Sequence, residues 1–262
     1  MWNSVRPHSQ FVKQYDHLPG IHFSRAIRRS FETLVRHYNI RFATAADIGC
    51  GTGLFASYLA RCWGVPVFGV DASPEMLAVA RNRCPDPRVC WLRQDIRCLR
   101  LPERVDLITA NFDTLNHLVG PSDLQRTFVR IYESLRPSGW LILDLVTPCE
   151  PLGGRRRFVR WHCARETSVC QRIRWEPWQR LLHIHIVQSS PRCRYPTVER
   201  LVERAYSPGE IGTALSCAGF IVRGVHNPES AHRVSRCLPR MLVVAQRRPS
   251  IGSVRSCEKL FH

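Results

Sequence analysis

Ala45-Ala46-Asp47-Ile48-Gly49-Cys50-Gly51-Thr52-Gly53 is the stretch that decides the fold. It reads as a short buried strand running into a glycine turn, and Leu54 to Cys62 continue it with helical patterning. Glycine carries no Cβ, so backbone at 49, 51 and 53 can lie close to a ligand, and the helix that follows opens with unpaired N–H groups. That describes a cradle for a nucleotide-type cofactor. An ordinary tight strand-to-helix turn has the same composition, so the segments on either side have to decide between the two.

Downstream, Val65-Pro66-Val67-Phe68-Gly69-Val70 is a second apolar run ending at Asp71. Ser73 then caps a helix with Pro74 at its first position, and Met76, Leu77 and Val79 point inward. Val89 to Leu92 reads as a third strand followed by Gln94-Asp95-Ile96, and Val105 to Ala110 as a fourth giving way to Asn111-Phe112-Asp113. Ser122 or Asp123 opens a helix through Leu124, Phe128, Ile131 and Leu135, stopped by Pro137 and Gly139, before a fifth strand at Trp140 to Leu145. Upstream, Phe23, Ile27, Phe31, Leu34 and Val35 recur at helical spacing to about Tyr38. Successive β-then-α units imply a parallel sheet with right-handed crossovers. The expected fold is α/β, Rossmann-like and doubly wound, with a mostly parallel seven-stranded sheet and helices on both faces.

The expected organisation is a single domain over residues 1–247: a helical cap at 1–40, a cofactor-binding core at 41–146, a small β-rich insertion at 147–203, and a last helix and two strands at 204–247. Residues 248–262 read as a loose tail. The insertion is signalled by Pro, Arg and Trp with alternating patches such as Leu182-His183-Ile184-His185-Ile186. The last helix follows Ser207-Pro208 and ends at Gly219; Phe220 to Val222 and Met241 to Ala245 are the final strands.

Arginine and lysine outnumber aspartate and glutamate by 38 to 21, a formal charge of +17. A polyanionic partner would ordinarily follow. Here only Lys13 and Lys259 are lysines and the arginines are scattered, so a solvated basic surface is preferred to a nucleic-acid site. Twelve cysteines would suit a disulfide framework in a short secreted chain, but Met1 to Pro7 has no apolar signal core and no Cys-x-x-Cys pair occurs. The thiols are expected to be reduced, most of them buried as small hydrophobes, in a cytoplasmic protein. No apolar run approaches the ~20 residues that span a bilayer.

In an open parallel sheet, ligands bind at the carboxyl ends of strands where strand order reverses. Those ends carry the glycine turn, Asp71, Asp95 and Asn111-Phe112. Asp71 could accept hydrogen bonds from ribose hydroxyls, which a nicotinamide dinucleotide and S-adenosylmethionine both offer. A dinucleotide fingerprint wants Gly or Ala where Leu54 stands, and Asp47 beside the turn offers negative charge to an ammonium.

Asp47-Ile48-Gly49-Cys50-Gly51-Thr52-Gly53, Gly69-Val70-Asp71-Ala72-Ser73-Pro74-Glu75-Met76-Leu77, Gln94-Asp95-Ile96 and Leu135-Arg136-Pro137-Ser138-Gly139-Trp140 together resemble the class I S-adenosylmethionine-dependent methyltransferases. Tyr15-Asp16, Asn111 to Leu118, Glu203-Arg204-Ala205-Tyr206 and Ala218-Gly219-Phe220 resemble the family's small-molecule branch. The resemblance covers most of residues 11–247, loosely over 148–197. It implies that Asp47, Gly49, Cys50, Gly51, Thr52 and Gly53 surround the cofactor, that Asp71 holds its ribose beside Ala72 and Met76, and that Asp95 and Ile96 flank adenine. Asn111, Phe112 and Tyr15 would lie beside the methionyl portion. Ser138 departs from the family's usual glycine at a structural position.

The implied activity is transfer of a methyl group from S-adenosyl-L-methionine to an unidentified small molecule. Where the acceptor needs a base, His117 and Asp113 are the first candidates. The rivals are an RNA or DNA methyltransferase and a non-catalytic cofactor-binding interaction protein. Strand four ends in Asn111-Phe112-Asp113, unlike the Asn/Asp-Pro-Pro-aromatic loop associated with exocyclic amines, which disfavours the first. No metal is expected: His183 and His185 share a strand face without a Cys or carboxylate partner in sequence. Trp161, Trp175 and Trp178 are expected to form the core of the insertion rather than to roof a pocket.

Overall fold

The computed structural model describes residues 3–4, 12, 21–150, 152–164, 167–191, 195–234 and 238–249. In chain order the elements are α1 (Ile21–His37), β1 (Ala45–Ile48), α2 (Leu54–Trp63), β2 (Val67–Asp71), α3 (Pro74–Arg83), β3 (Val89–Arg93), β4 (Val105–Ala110), α4 (Asp123–Ser134) and β5 (Leu135–Val146). They continue with β6 (Arg157–Ala164), β7 (Thr167–Glu176), β8 (Leu181–Ser189), β9 (Thr197–Arg204), α5 (Pro208–Cys217), β10 (Phe220–His226) and β11 (Arg240–Arg247). Seven strands make one sheet in the order β10-β11-β5-β4-β1-β2-β3. Within it β1 pairs in parallel with β2 and β4, and only β11 runs antiparallel to its neighbours β5 and β10. The chain goes outward from β1 to β2 and β3, then returns to place β4 on the other side. That reversal opens a crevice at the carboxyl ends of β1 and β4.

All four residues of β1 are buried, as a central parallel strand with both faces covered requires. Their alternation splits the core in two. Ala46 and Ile48 join Ile108, Leu143, Phe128 and Leu215 under α4 and α5, while Ala45 joins Leu107, Phe31, Phe55 and Leu59 under α1 and α2. Ser73 caps α3 as its position predicts, its Oγ accepting from the Met76 N–H at 3.1 Å, with Pro74 at the first turn. Ala80, rather than the half-buried Val79, completes the inward face with Met76 and Leu77.

One boundary differs. The helix α4 stops at Ser134, and β5 already begins at Leu135, so Pro137 and Gly139 lie inside an irregular strand rather than after a helix. Ser138 sits at φ +64°, a left-handed conformation that explains why glycine is usual there.

The insertion is a four-stranded antiparallel meander, β6 to β9, extended by the two residues Asn3–Ser4 paired in parallel with Thr197 and Val198. Phe158, Ile173, Ile184 and Leu201 stand in register across it, one apolar row on the face turned to the large sheet. Asn116 fastens the two sheets together. Wholly buried, it donates to Val146 O at 3.0 Å and Arg204 O at 2.7 Å and accepts from Val146 N at 3.0 Å. Tyr206 adds a hydroxyl bond to Leu118 O.

The tryptophan expectation is corrected here. Trp175 packs in the insertion core, but Trp161 is 66% and Trp178 92% exposed. The cysteine expectation changes as well: of the free thiols in the described residues only Cys50, Cys84 and Cys170 are buried, and Cys149 is disulfide-bonded. Among the described residues no helix is long and apolar enough to cross a membrane. The tail from residue 250 on lies outside the described residues, as does nearly all of the cap before residue 21.

Candidate functional site

Two cavities open at the carboxyl ends of the parallel strands. The first, about 380 Å³, is lined by Gly49, Gly51, Asp71, Ala72, Met76, Gln94, Asp95, Ile96, Arg97, Phe112, Thr114 and His117, with Leu118 and the β9 residues Arg200, Leu201 and Val202 at its side. The second, about 490 Å³, lies between those strand ends and the insertion sheet. Phe112, His117 and Leu201 line both, so the partition between the cavities is built from these three side chains.

The three glycines of the turn do different things. A Cβ on Gly49 would land inside the Thr114 side chain, 2.8 Å even from its Cβ; one on Gly53 would meet Trp91 and lie 2.9 Å from the Ala80 Cβ. Those two are glycines because the core behind them is full. A Cβ on Gly51 would come no nearer to another residue than 4.0 Å, to Met76 Sδ, and would project beside the first cavity. Gly51 is therefore where backbone is bare toward a ligand.

Asp71, at the end of β2, accepts from the Gly51 N–H and the Ser73 N–H, each at 2.8 Å. It ties the glycine turn to the start of α3 and lines the first cavity. Asp95 caps the short helix Ile96–Cys98 and pairs with Arg97 at 2.6 Å. Hydrogen bonds from Arg97 are the largest cause of its lowered pKa.

Asp47 is buried beneath the turn. Its Oδ1 accepts from Thr109 Oγ1 at 2.7 Å and from Asn111 Nδ2 at 3.4 Å, and burial pushes its pKa up to about 7. Asn111 is equally buried behind Phe112. Cys50 is buried too, and burial raises its pKa. Thr52 is turned away from the cavity, its carbonyl and hydroxyl accepting from Arg83 at 3.0 and 2.8 Å. Of the residues expected around a cofactor, Gly49, Gly51, Asp71, Ala72, Met76, Asp95, Ile96 and Phe112 thus line the cavity. Asp47, Cys50, Thr52, Gly53 and Asn111 stand behind its wall, and Tyr15 lies outside the described residues.

Phe112 and Asp113 carry positive φ, 56° and 62°, which non-glycine residues adopt at a cost. The conformation is held from outside: Phe112 N–H donates to Asp144 at 3.1 Å, and Thr114 Oγ1 donates to Asn111 O at 2.7 Å. Asp144 is wholly buried on β5 and bonded to Arg240 of β11 at 2.7 and 3.0 Å. Burial raises the Asp144 pKa, with the Arg240 charge opposing.

Arg240 also bonds Asp113. This changes the reading of Asp113: it lines the second cavity as one arm of an Asp–Arg–Asp bridge, its carboxylate engaged by Arg240. His117 remains open to both cavities, its side chain 36% exposed, although protein encloses most of the volume around it. That enclosure lowers its pKa, and the Asp113 charge opposes the shift.

Pairing with His117 is Glu203, a residue that local sequence reasoning did not assign to the site. Its Oε1 is 3.9 Å from His117 Nε2, and burial holds its pKa well above the carboxylate range. Arg240, Asp144, Thr114, Gln94 and Arg97 were likewise not foreseen. Elsewhere, His183 does find a carboxylate, Glu176 Oε2 at 3.1 Å.

Residues 45–139 match a methyltransferase domain family. Over 111 residues the chain is 32% identical to a dTDP-3-amino-3,6-dideoxy-alpha-D-glucopyranose N,N-dimethyltransferase of Streptomyces fradiae, covering 42% of each chain. It is also 32% identical over 125 residues to a trans-aconitate 2-methyltransferase of Mycobacterium tuberculosis, covering 47% of this chain and 45% of that one. The matches span less than half the length of these curated relatives. Among solved structures, an S-adenosylmethionine-dependent methyltransferase from Clostridium acetobutylicum superposes with a TM-score of 0.77 at 22% identity, covering 91% of this chain and 98% of that one. A sugar N-methyltransferase from Streptoalloteichus superposes with a TM-score of 0.71 at 16% identity and 91% coverage of both; at such identities the likeness is one of fold.

Proposed function

We propose, from the premise that the chain belongs to the class I S-adenosylmethionine-dependent methyltransferases, that it methylates a small molecule held in the second cavity. The observation that carries this reading is the shared partition: two cavities meet at Phe112, His117 and Leu201, so a donor in one and an acceptor in the other would face each other there. When bound, S-adenosylmethionine supplies a methyl group already activated by its sulfonium.

The residues present fit that cofactor. Gly51 leaves open space beside the cavity, Asp71 presents a carboxylate at the strand end, a group of the kind that accepts from ribose hydroxyls, and Met76 and Ile96 give apolar walls suited to adenine. Asp47 stands behind the wall, where its bonds to Thr109 and Asn111 hold the strand ends under the turn. Strand ends and the Asn116 latch hold the walls in place, so alignment of the two reactants is the chief contribution of the protein.

An amine acceptor arriving protonated must lose a proton before it can attack. His117, kept neutral by its enclosure, takes that proton, and the Asp113 charge, which opposes the lowering of its pKa, stabilises the imidazolium that results. The names of the sugar N-methyltransferase relatives support nitrogen as the accepting atom. A nucleic-acid acceptor is disfavoured because the insertion sheet forms one wall of the second cavity and narrows the approach to His117.

Incubation with methyl-labelled cofactor and, separately, a metabolite extract, total RNA and DNA tests this. Label is expected in a small molecule. Label entering a discrete nucleic-acid position, or binding of S-adenosylhomocysteine without turnover on any acceptor, would replace the reading.

A further inference from the structure

The second cavity extends well beyond what chemistry at His117 requires. Its far wall is carried by β6 and β7, where Arg160 and Gln171 face each other in register. Arg160 is half-buried, with its guanidinium 5.2 Å from the centre of the Phe158 ring, and among the described residues it has no carboxylate partner. The cavity's other guanidinium, Arg240, is held between Asp113 and Asp144. Arg160 therefore brings to this cavity a guanidinium that pairs with no carboxylate among the described residues.

A second observation lies one row along the same face. His162 Nε2 and Gln188 Oε1 are buried polar atoms without a hydrogen-bond partner, and both residues flank Val169 in register. Neither residue lines the cavity, but both stand next to its Arg160–Gln171 wall and add polar atoms with unused hydrogen-bonding capacity beside it. Three strand spacings separate β6 from β9, roughly 14 Å at ~4.8 Å each, so this pole is remote from the partition at Leu201.

We infer that Arg160 and Gln171 form an oxyanion subsite, so that the molecule bound in the second cavity carries a phosphoryl or carboxylate group at the end remote from His117. A guanidinium holds either group through two parallel N–H bonds, and the Gln171 amide offers a third donor. Calling that molecule the methyl acceptor rests on the proposed function; the anion site itself does not.

The test uses the full chain and two probes, inorganic pyrophosphate and malonate, titrated by calorimetry, with S-adenosylhomocysteine affinity and melting temperature measured on the same samples. Saturable binding of at least one anion is expected, weakened tenfold or more in Arg160→Met and partly restored in Arg160→Lys. Pyrophosphate binding alone assigns a phosphoryl group, malonate binding alone a carboxylate, and comparable binding of both supports the shared chemistry. Should Arg160→Met fail to fold, Gln171→Leu is the second variant, with a smaller loss expected. Absence of saturable binding, or equal binding by the folded variants, overturns the subsite. Failure of S-adenosylhomocysteine to bind would instead overturn the methyltransferase reading and leave the anion result standing.

Discussion

Alanine at Gly51 and alanine at Gly49 should damage the protein in opposite ways, although the two glycines stand two residues apart in one turn. Both have left-handed backbone, φ +54° and +63°, so a side chain at either costs about 1–2 kcal/mol. At Gly51 that is nearly the whole cost, because the added Cβ has no neighbour closer than 4.0 Å. For a chain of this size about 1–2 kcal/mol corresponds to a melting temperature lower by roughly 2–8 °C. At Gly49 the Cβ collides with Thr114, and overpacking adds about 1–3 kcal/mol, so the loss becomes roughly 2–5 kcal/mol. Binding should show the reverse order. Gly51→Ala puts a methyl group where the cofactor is proposed to lie and should lower S-adenosylhomocysteine affinity tenfold or more, about 1.4 kcal/mol. Thermal melts give the first quantity and calorimetry on folded protein the second. If Gly51→Ala binds as tightly as the wild type, the first cavity is not the cofactor site and the reasoning fails.

Asp71→Ala should weaken S-adenosylhomocysteine binding by about 1.5–3 kcal/mol, roughly ten- to a hundredfold. It should also speed amide exchange at Gly51 and Ser73, whose N–H groups lose their acceptor; unchanged exchange would show that Asp71 does not order the turn. Arg240→Gln leaves Asp144 buried without its cation and should cost about 3–5 kcal/mol in chemical denaturation, part of it recovered in Arg240→Gln with Asp144→Asn. No recovery in the double variant would mean that the ion pair is not what was lost. The folded pKa of His117 is lowered below its unfolded value near 6.5, so the folded state favours the neutral ring; its contribution to stability is present above 6.5 and is lost as pH falls through the folded pKa. The rate with an amine acceptor should rise with pH through that same lowered pKa, and an identical profile in His117→Asn would remove His117 as the base.

Much of the architecture is legible in the chain because its causes are local. Ala45 to Ile48 reads as a buried strand from composition, Ser73-Pro74 as a helix start from capping chemistry, and Asp71 and Asp95 as site candidates from their places at strand ends. The order of four short motifs is enough to indicate the family. What each residue does there depends on contacts that sequence distance hides. Gly49, Gly51 and Gly53 look alike in the chain, yet Thr114 and Trp91 make two of them structural and leave one facing the cavity. Asp113 looks like a free carboxylate until Arg240, 127 residues later, arrives beside it across the sheet. Glu203 reads as an ordinary charged residue of an alternating strand, and only the docking of β9 against the strand ends buries it next to His117. Trp161 and Trp178 suggest a core by their type, but an antiparallel sheet buries one face and leaves the other to solvent, and the register put Trp161 on the outside. Periodicity and capping are properties of neighbours along the chain, so the sequence by itself determines the elements and their order. Charge pairing, desolvation and the choice of which face is covered arise between segments far apart, and those were decided by the tertiary structure alone.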